Sequence, residues 1–132
     1  MKMIISNSSP IPIYEQIKNC IINQIMNEEL LPDEAIPSIR NLASDIKISV
    51  MTIKKAYDEL EHEGFIIIRQ GKGTFVAPKN SGLVKEKARK DIEDYLGKII
   101  DISNRYDISK EEIIDTFNLL YRSDEWWNML LK

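Results

Sequence analysis

The stretch from Ser49 to Gly64 leaves this chain few folds to choose from. A serine suited to capping a helix opens it, and a glycine suited to closing one ends it. Steps of ~100° per residue place Ile53, Ala56, Tyr57 and Leu60 on one side. Met51, Lys55, Asp58 and His62 fall opposite, with Thr52 and Lys54 on the flanks. One face is core and the other is open to a partner. Immediately upstream, Ser38 opens a shorter helix with Ile39, Leu42, Ala43 and Ile46 as its inner stripe and Arg40, Asn41 and Ser44 directed elsewhere. Only Lys47 and Ile48 separate the two helices. So tight a connection predicts helix-turn-helix geometry, in which the second helix enters a DNA major groove by its N-terminus.

The flanking segments complete a domain around this pair. Ile13, Ile17 and Ile21, with Tyr14, Ile22, Ile25 and Met26, predict a packing helix running to about Asn27, with Pro12 at its first turn. Residues 1–9 before it read as an arm with little structure of its own, and Glu28 to Pro37 as a surface connection. Past Gly64 the period changes. Phe65 to Arg69 and Thr74 to Ala77 are strand-like, Gln70 to Gly73 is a turn, and Pro78 closes the pair. A two-stranded hairpin is marginal alone, so its apolar side must pack on the helices. The fold class that follows is α+β and mostly α. A winged helix-turn-helix of three helices and a β-hairpin wing spans 10–78, and a short C-terminal helical dimerisation region spans 79–132.

In that last region Ala88, Ile92, Tyr95, Leu96, Ile99, Ile102 or Ser103, and Tyr106 recur at helical spacing, interrupted only by Gly97. A further helix is capped by Ser109, carries Glu111 and Glu112 in its first turn, and has Ile113, Ile114, Phe117, Leu120 and Tyr121 as its apolar side. Trp126, Trp127, Met129, Leu130 and Leu131 follow. Helices of this size cannot bury so much apolar surface alone, so they need the preceding domain or a second copy of the chain.

Composition excludes most chemistry. Cys20 and His62 are each the only residue of their kind, which rules out an intrachain disulfide and leaves no ordinary zinc ligand set, so no metal or cofactor is expected. Cys20 reads as a small helix residue near the core and His62 as a solvated residue near a helix end. No Cys–His pair, recognisable carboxylate pair or phosphate-binding loop appears, and Gly71-Lys72-Gly73 lacks the helix such a loop requires, so the chain is not expected to be an enzyme. No apolar run reaches the roughly 18 residues of a membrane span, and no signal peptide is legible, which makes the cytoplasm the expected location. The net charge of −3 argues against binding nucleic acid by bulk positive charge, although Lys54, Lys55, Arg69 and Lys72 cluster locally.

Four blocks in order carry a family resemblance: Pro12-Ile-Tyr14-Glu-Gln-Ile17, Pro37-Ser-Ile-Arg40-Asn-Leu-Ala43, Thr52 through Gly64, and Gly71-Lys-Gly-Thr-Phe-Val76. Together they resemble the N-terminal domain of GntR-type bacterial transcriptional regulators, and the short helical remainder is similar to the YtrA subfamily, whose members dimerise through C-terminal helices. The resemblance implies contacts to double-stranded operator DNA from Ser38 and Arg40, from Ser49, Thr52 and Lys54, and from the wing turn Gln70-Gly71-Lys72. Hydroxyls, a helix N-terminus and exposed lysines suit phosphate oxygens, and Lys54, Lys55 and Lys72 would displace counterions. It further implies a homodimeric repressor on an inverted-repeat operator, with membrane-transporter genes as targets.

The departures from the family bear on readout. Val50 and Met51 stand where an arginine and a polar residue are usual, so a bidentate arginine–guanine contact is lost at Val50, and Met51 either touches a thymine methyl, packs against the protein or sits exposed. Glu28 and Asp33 replace two glycines of the first connection. The alternative function is a winged-helix adaptor for protein contact, favoured by the acidic net charge and the two apolar residues. The aromatics Tyr95, Tyr106, Phe117, Tyr121, Trp126 and Trp127 form either a dimer core or the wall of a small effector cavity, and no effector is identified.

Overall fold

The computed structural model describes residues 1–79 and 81–122, so Trp126 and Trp127 and the rest of the C-terminal apolar cluster lie outside the described residues. The elements run α1 (Ile13–Met26), β1 (Ala35–Ile36), α2 (Ile39–Ile46), α3 (Val50–His62), β2 (Ile66–Arg69), β3 (Gly73–Val76), α4 (Val84–Arg105) and α5 (Lys110–Arg122). Two compact units divide the chain, Met1–Arg89 and Lys90–Lys132. The first extends past Pro78 and takes in the N-terminal arm.

The α3 stripe is the centre of the first unit. Ile53, Ala56, Tyr57 and Leu60 are all fully buried, among Ile17 and Ile21 of α1, Leu42 of α2, and Ile66 and Val76 of the wing. Large apolar side chains contribute about 1.5–3 kcal/mol each when removed from water, so this cluster is the main reason the three helices and the wing form one body. Helix α2 ends at Lys47, which adopts a left-handed φ of 56°, and the Ile48 N–H donates to the Ala43 carbonyl at 3.1 Å. That single left-handed residue turns the chain into the Ser49 cap. Lys18 adds a polar tie between α1 and α3, reaching Glu59 at 3.2 Å and Glu63 at 2.7 Å. Desolvation lowers the affinity of its ammonium for a proton, but the hydrogen bonds and charges of Glu63 and Glu59 outweigh it and hold the group above the ordinary lysine value.

The connection from α1 to α2 corrects the sequence reading. It is not a plain surface loop: Leu30 is buried in it, and Ala35–Ile36 forms a third strand antiparallel to β3. The sheet order is β1-β3-β2, with Ala35 opposite Phe75 and Ile36 opposite Thr74. Main-chain bonds from Asp33 N–H to the Val76 carbonyl and from Val76 N–H to the Glu34 carbonyl, both 2.9 Å, extend the pairing. A strand of two residues between prolines leaves no alternation to detect. Glu28 and Asp33 hold φ of 62° and 65°, so the glycine-like turns of this connection persist without glycine.

The arm forms neither helix nor strand, yet α1 holds it. Gln16 donates to the Ser6 carbonyl at 2.9 Å and accepts from the Ser6 N–H at 2.8 Å, Gln24 donates to the Lys2 carbonyl at 2.7 Å, and Met3 and Ile5 pack on the core. At the other end of the unit, Gly64 and Gly82 meet backbone to backbone with φ of 83° and 48°. A Cβ on Gly82 would stand 2.6 Å from the Gly64 Cα, and the Leu83 N–H donates to the Glu63 carbonyl at 2.8 Å. This contact fixes the start of α4 against the end of α3, where Val84 joins the core.

In the second unit, Ser109 caps α5 as expected. Its Oγ accepts from the Glu112 N–H at 3.2 Å while the Glu112 carboxylate accepts from the Ser109 N–H at 3.3 Å, a reciprocal box. Ser103 donates its hydroxyl to the Ile108 carbonyl across the turn between α4 and α5. No described residue of α5 is buried, and Ile92, Tyr95, Ile100, Tyr106, Phe117 and Tyr121 are all more than half exposed. Among the described residues no helix is long and apolar enough to cross a membrane.

Candidate nucleic-acid interface

Three segments predicted to meet DNA are brought together by two contacts that the sequence did not announce. Strand β1 runs toward the wing turn, because Ile36 lies opposite Thr74, the residue after Gly73. Pro37 and the Ser38 cap follow at once, so the N-terminus of α2 starts beside the base of the wing. The Tyr57 hydroxyl, on the buried face of α3, donates to the Pro37 carbonyl at 2.7 Å and ties that same point to the recognition helix. Burial pushes the Tyr57 phenol far above its ordinary range, so it stays a neutral donor.

Both helix N-termini carry their caps. The Ser38 Oγ accepts from the Asn41 N–H at 3.1 Å, and the Ser49 Oγ accepts from the Thr52 N–H at 3.2 Å. The Ser49 and Thr52 hydroxyls also lie 2.8 Å apart, so one of them donates to the other and one proton remains to donate outward. A capping serine is therefore compatible with a phosphate contact. Its acceptor role holds the helix start in shape, and its N-terminal N–H groups favour an anion.

The cations divide into free and committed groups. Arg40 and Lys72 are exposed, and neither side chain forms an ion pair or hydrogen bond among the described residues. Lys54 instead reaches Asp58 one turn along α3 at 2.6 Å, and the Lys55 ammonium sits 4.1 Å from the centre of the Tyr14 ring. Arg69, at the base of the wing, lies over Phe75 and 3.7 Å from Asp33. Lys47 is a further exposed cation, without an ion pair among the described residues, at the turn between α2 and α3, which the sequence reading passed over as mere connection. The signal was its place two residues before the Ser49 cap.

At the tip of the wing, Gln70, Gly71 and Lys72 are all exposed. Gly71 has φ of 75° and open space where a Cβ would be, so its requirement is conformational. Of the alternatives for Met51, packing against the protein is the one the structure removes: Met51 is 74% exposed and Val50 46%.

The profile described as "Bacterial regulatory proteins, gntR family" matches residues 13–76, a span running from α1 through the wing. Among full-length relatives, the chain is 34% identical over 104 residues to the HTH-type transcriptional regulator YhcF of Bacillus subtilis, covering 79% of this chain and 85% of that one. It is also 34% identical over 92 residues to the HTH-type transcriptional repressor YtrA of the same organism, covering 70% of this chain and 71% of the repressor. Among solved structures, the DNA-binding domain of AraR in complex with operator ORX1 superposes with a TM-score of 0.52 at 33% identity, covering 58% of this chain and 99% of that one. These relatives are regulators of transcription and not enzymes, and the chain belongs to the GntR family of bacterial regulatory proteins as a YtrA-like regulator.

Proposed function

We propose that this regulator binds an inverted-repeat operator as a homodimer and represses transcription from it. The observation that carries the reading is the convergence of two capped helix N-termini and a glycine-bearing basic wing through β1 and Tyr57. AraR offers a DNA-bound parallel over this same domain, and YtrA is a repressor of similar length. Ser38, Arg40, Ser49, Thr52, Gln70, Gly71 and Lys72 hold phosphates. Lys54 joins them by exchanging Asp58 for a phosphate oxygen, while Lys55, held over Tyr14, contributes charge from the edge of the helix.

Dimerisation through residues 79–132 is supported by the unburied apolar faces of α4 and α5. Related by a twofold axis, two recognition helices engage half-sites roughly 34 Å apart. Control of membrane-transporter genes belongs to the same proposal, on the family resemblance alone. The adaptor reading gains nothing from the geometry, because a protein interface has no need of two capped N-termini beside a basic glycine turn.

Gel-shift titration against the upstream DNA of the chain's own operon, run across salt concentrations, tests the DNA reading. A specific complex is expected, weakened by Arg40→Ala and Lys72→Ala, with each lost phosphate contact lowering the slope of log K against log salt by about 0.9. No specific complex at low salt would transfer the argument to the adaptor. Sedimentation tests the assembly, and a monomer at micromolar concentration would remove the twofold operator.

A further inference from the structure

We infer that Val50 and Met51 recognise thymine through its 5-methyl group, and that this apolar contact is the principal base readout made by α3. The inference rests on the DNA-binding reading above and specifies what that surface selects. In a helix-turn-helix the N-terminal residues of the second helix approach the base edges, and Val50 and Met51 are its first two residues. Met51 stands opposite the buried stripe and is 74% exposed, and Val50, at the edge of that stripe, is 46% exposed, so both present apolar surface at the start of the helix. The only apolar group a base pair offers in the major groove is the thymine methyl.

The rest of the exposed face offers little competing readout. Positions 54, 55 and 58 complete it over the next two turns, and none is an arginine, asparagine or glutamine; Lys54 and Lys55 have the chemistry to bond guanine, but the DNA reading above assigns Lys54 to a phosphate and leaves Lys55 at the edge of the helix. Lys54 and Asp58 satisfy one another at 2.6 Å, and Lys55 is held over Tyr14. Glu61 and His62 lie in the last turn, at the opposite end from the capped N-terminus. The two apolar side chains also divide the task by stiffness. Val50 is β-branched and fixes one contact position, whereas Met51 has three rotatable bonds and can follow a methyl that shifts with local DNA shape.

The test begins with selection of the operator from randomised duplexes by the full chain, followed by single replacement of each thymine in a half-site by deoxyuridine. That change removes the methyl group and leaves every hydrogen bond of the base pair in place. At one or two positions per half-site affinity should fall about fourfold, the transfer value of one buried carbon. The penalty should vanish at one of those positions in Met51→Ala or Val50→Ala, with the salt slope unchanged, because neither residue touches phosphate. Both side chains are exposed, so far-UV circular dichroism should report an unchanged fold. If an operator is selected but every deoxyuridine is neutral, the methyl readout is wrong and DNA recognition stands. If the penalties persist in both variants, the contact belongs to other residues and the assignment is overturned. If no sequence is enriched, the DNA reading falls and this inference with it.

Discussion

Replacing Gly82 by alanine tests the packing that holds the start of α4 to the end of the recognition helix. Three costs add. Alanine at φ of 48° sits in the left-handed region, at about 1–2 kcal/mol. The new Cβ would lie 2.6 Å from the Gly64 Cα and 2.7 Å from the Glu63 carbonyl oxygen, against an ordinary carbon contact of about 3.5–4.0 Å. Both neighbours are backbone, so no rotamer change relieves the overlap, and forced displacement of packed groups costs about 1–3 kcal/mol. The separation also breaks the 2.8 Å bond from Leu83 N–H to the Glu63 carbonyl, worth about 1 kcal/mol.

The sum for Gly82→Ala is about 3–6 kcal/mol, a large fraction of the roughly 5–15 kcal/mol that stabilises a domain. Gly71→Ala is the matched control, since it shares the left-handed φ but meets nothing within 4 Å, so only about 1–2 kcal/mol is at stake. Urea unfolding followed by far-UV circular dichroism at one fixed protein concentration should place the Gly82 variant's midpoint roughly 1–2 M below that of the Gly71 variant. Equal midpoints for the two variants would refute the close approach, because the left-handed cost alone would then account for both.

Tyr57→Phe removes the bond to the Pro37 carbonyl, and we expect a loss of about 1 kcal/mol in unfolding free energy together with weakened operator binding, read by the same urea titration and by gel shift. Lys18→Met should lower stability by about 1 kcal/mol at neutral pH. The Lys18 folded value is raised above the ordinary 10.5, so its contribution is complete below that pH and disappears as pH rises through the folded value; unfolding titrations from pH 7 to 11 should show the wild-type advantage constant to about pH 10 and closing above it. Asp58→Asn removes a negative charge from the exposed face of α3 and the ion pair that Lys54 must give up to reach phosphate, so operator affinity in gel shift should increase while the slope of its salt dependence stays the same, the number of phosphate contacts being unchanged. A slope that rises by about 0.9 would mean that Lys54 stays on Asp58 in the wild-type complex and does not reach phosphate there.

What the sequence determined by itself was set by short-range rules. Helical spacing from Ile13 to Met26, from Ile39 to Ile46 and from Val50 to His62 identified the three helices, and the caps Ser38, Ser49 and Ser109 marked starts that the structure places at the next residue. The change to β-branched residues after Gly64 located the wing, and the resemblance in four blocks named the family.

What only the tertiary structure decided was which side chains are available, because that depends on partners distant in sequence. Lys54 and Lys55 look alike as neighbouring lysines, yet one is held by Asp58 and the other by Tyr14, 41 positions away in the chain, while Lys47 meets no partner among the described residues. Nothing in the two residues Ala35 and Ile36 predicts a strand, since they need β3 beside them to become one. Tyr57 reads from sequence as one more apolar position, and only its arrival at Pro37, 20 residues upstream, makes it the tie between α3 and the start of α2. Local spacing fixes which face of a helix is buried, whereas which faces meet in the shared apolar core, and which long-range hydrogen bonds then align α2, α3 and the wing, depends on partners that carry no shared mark in the sequence.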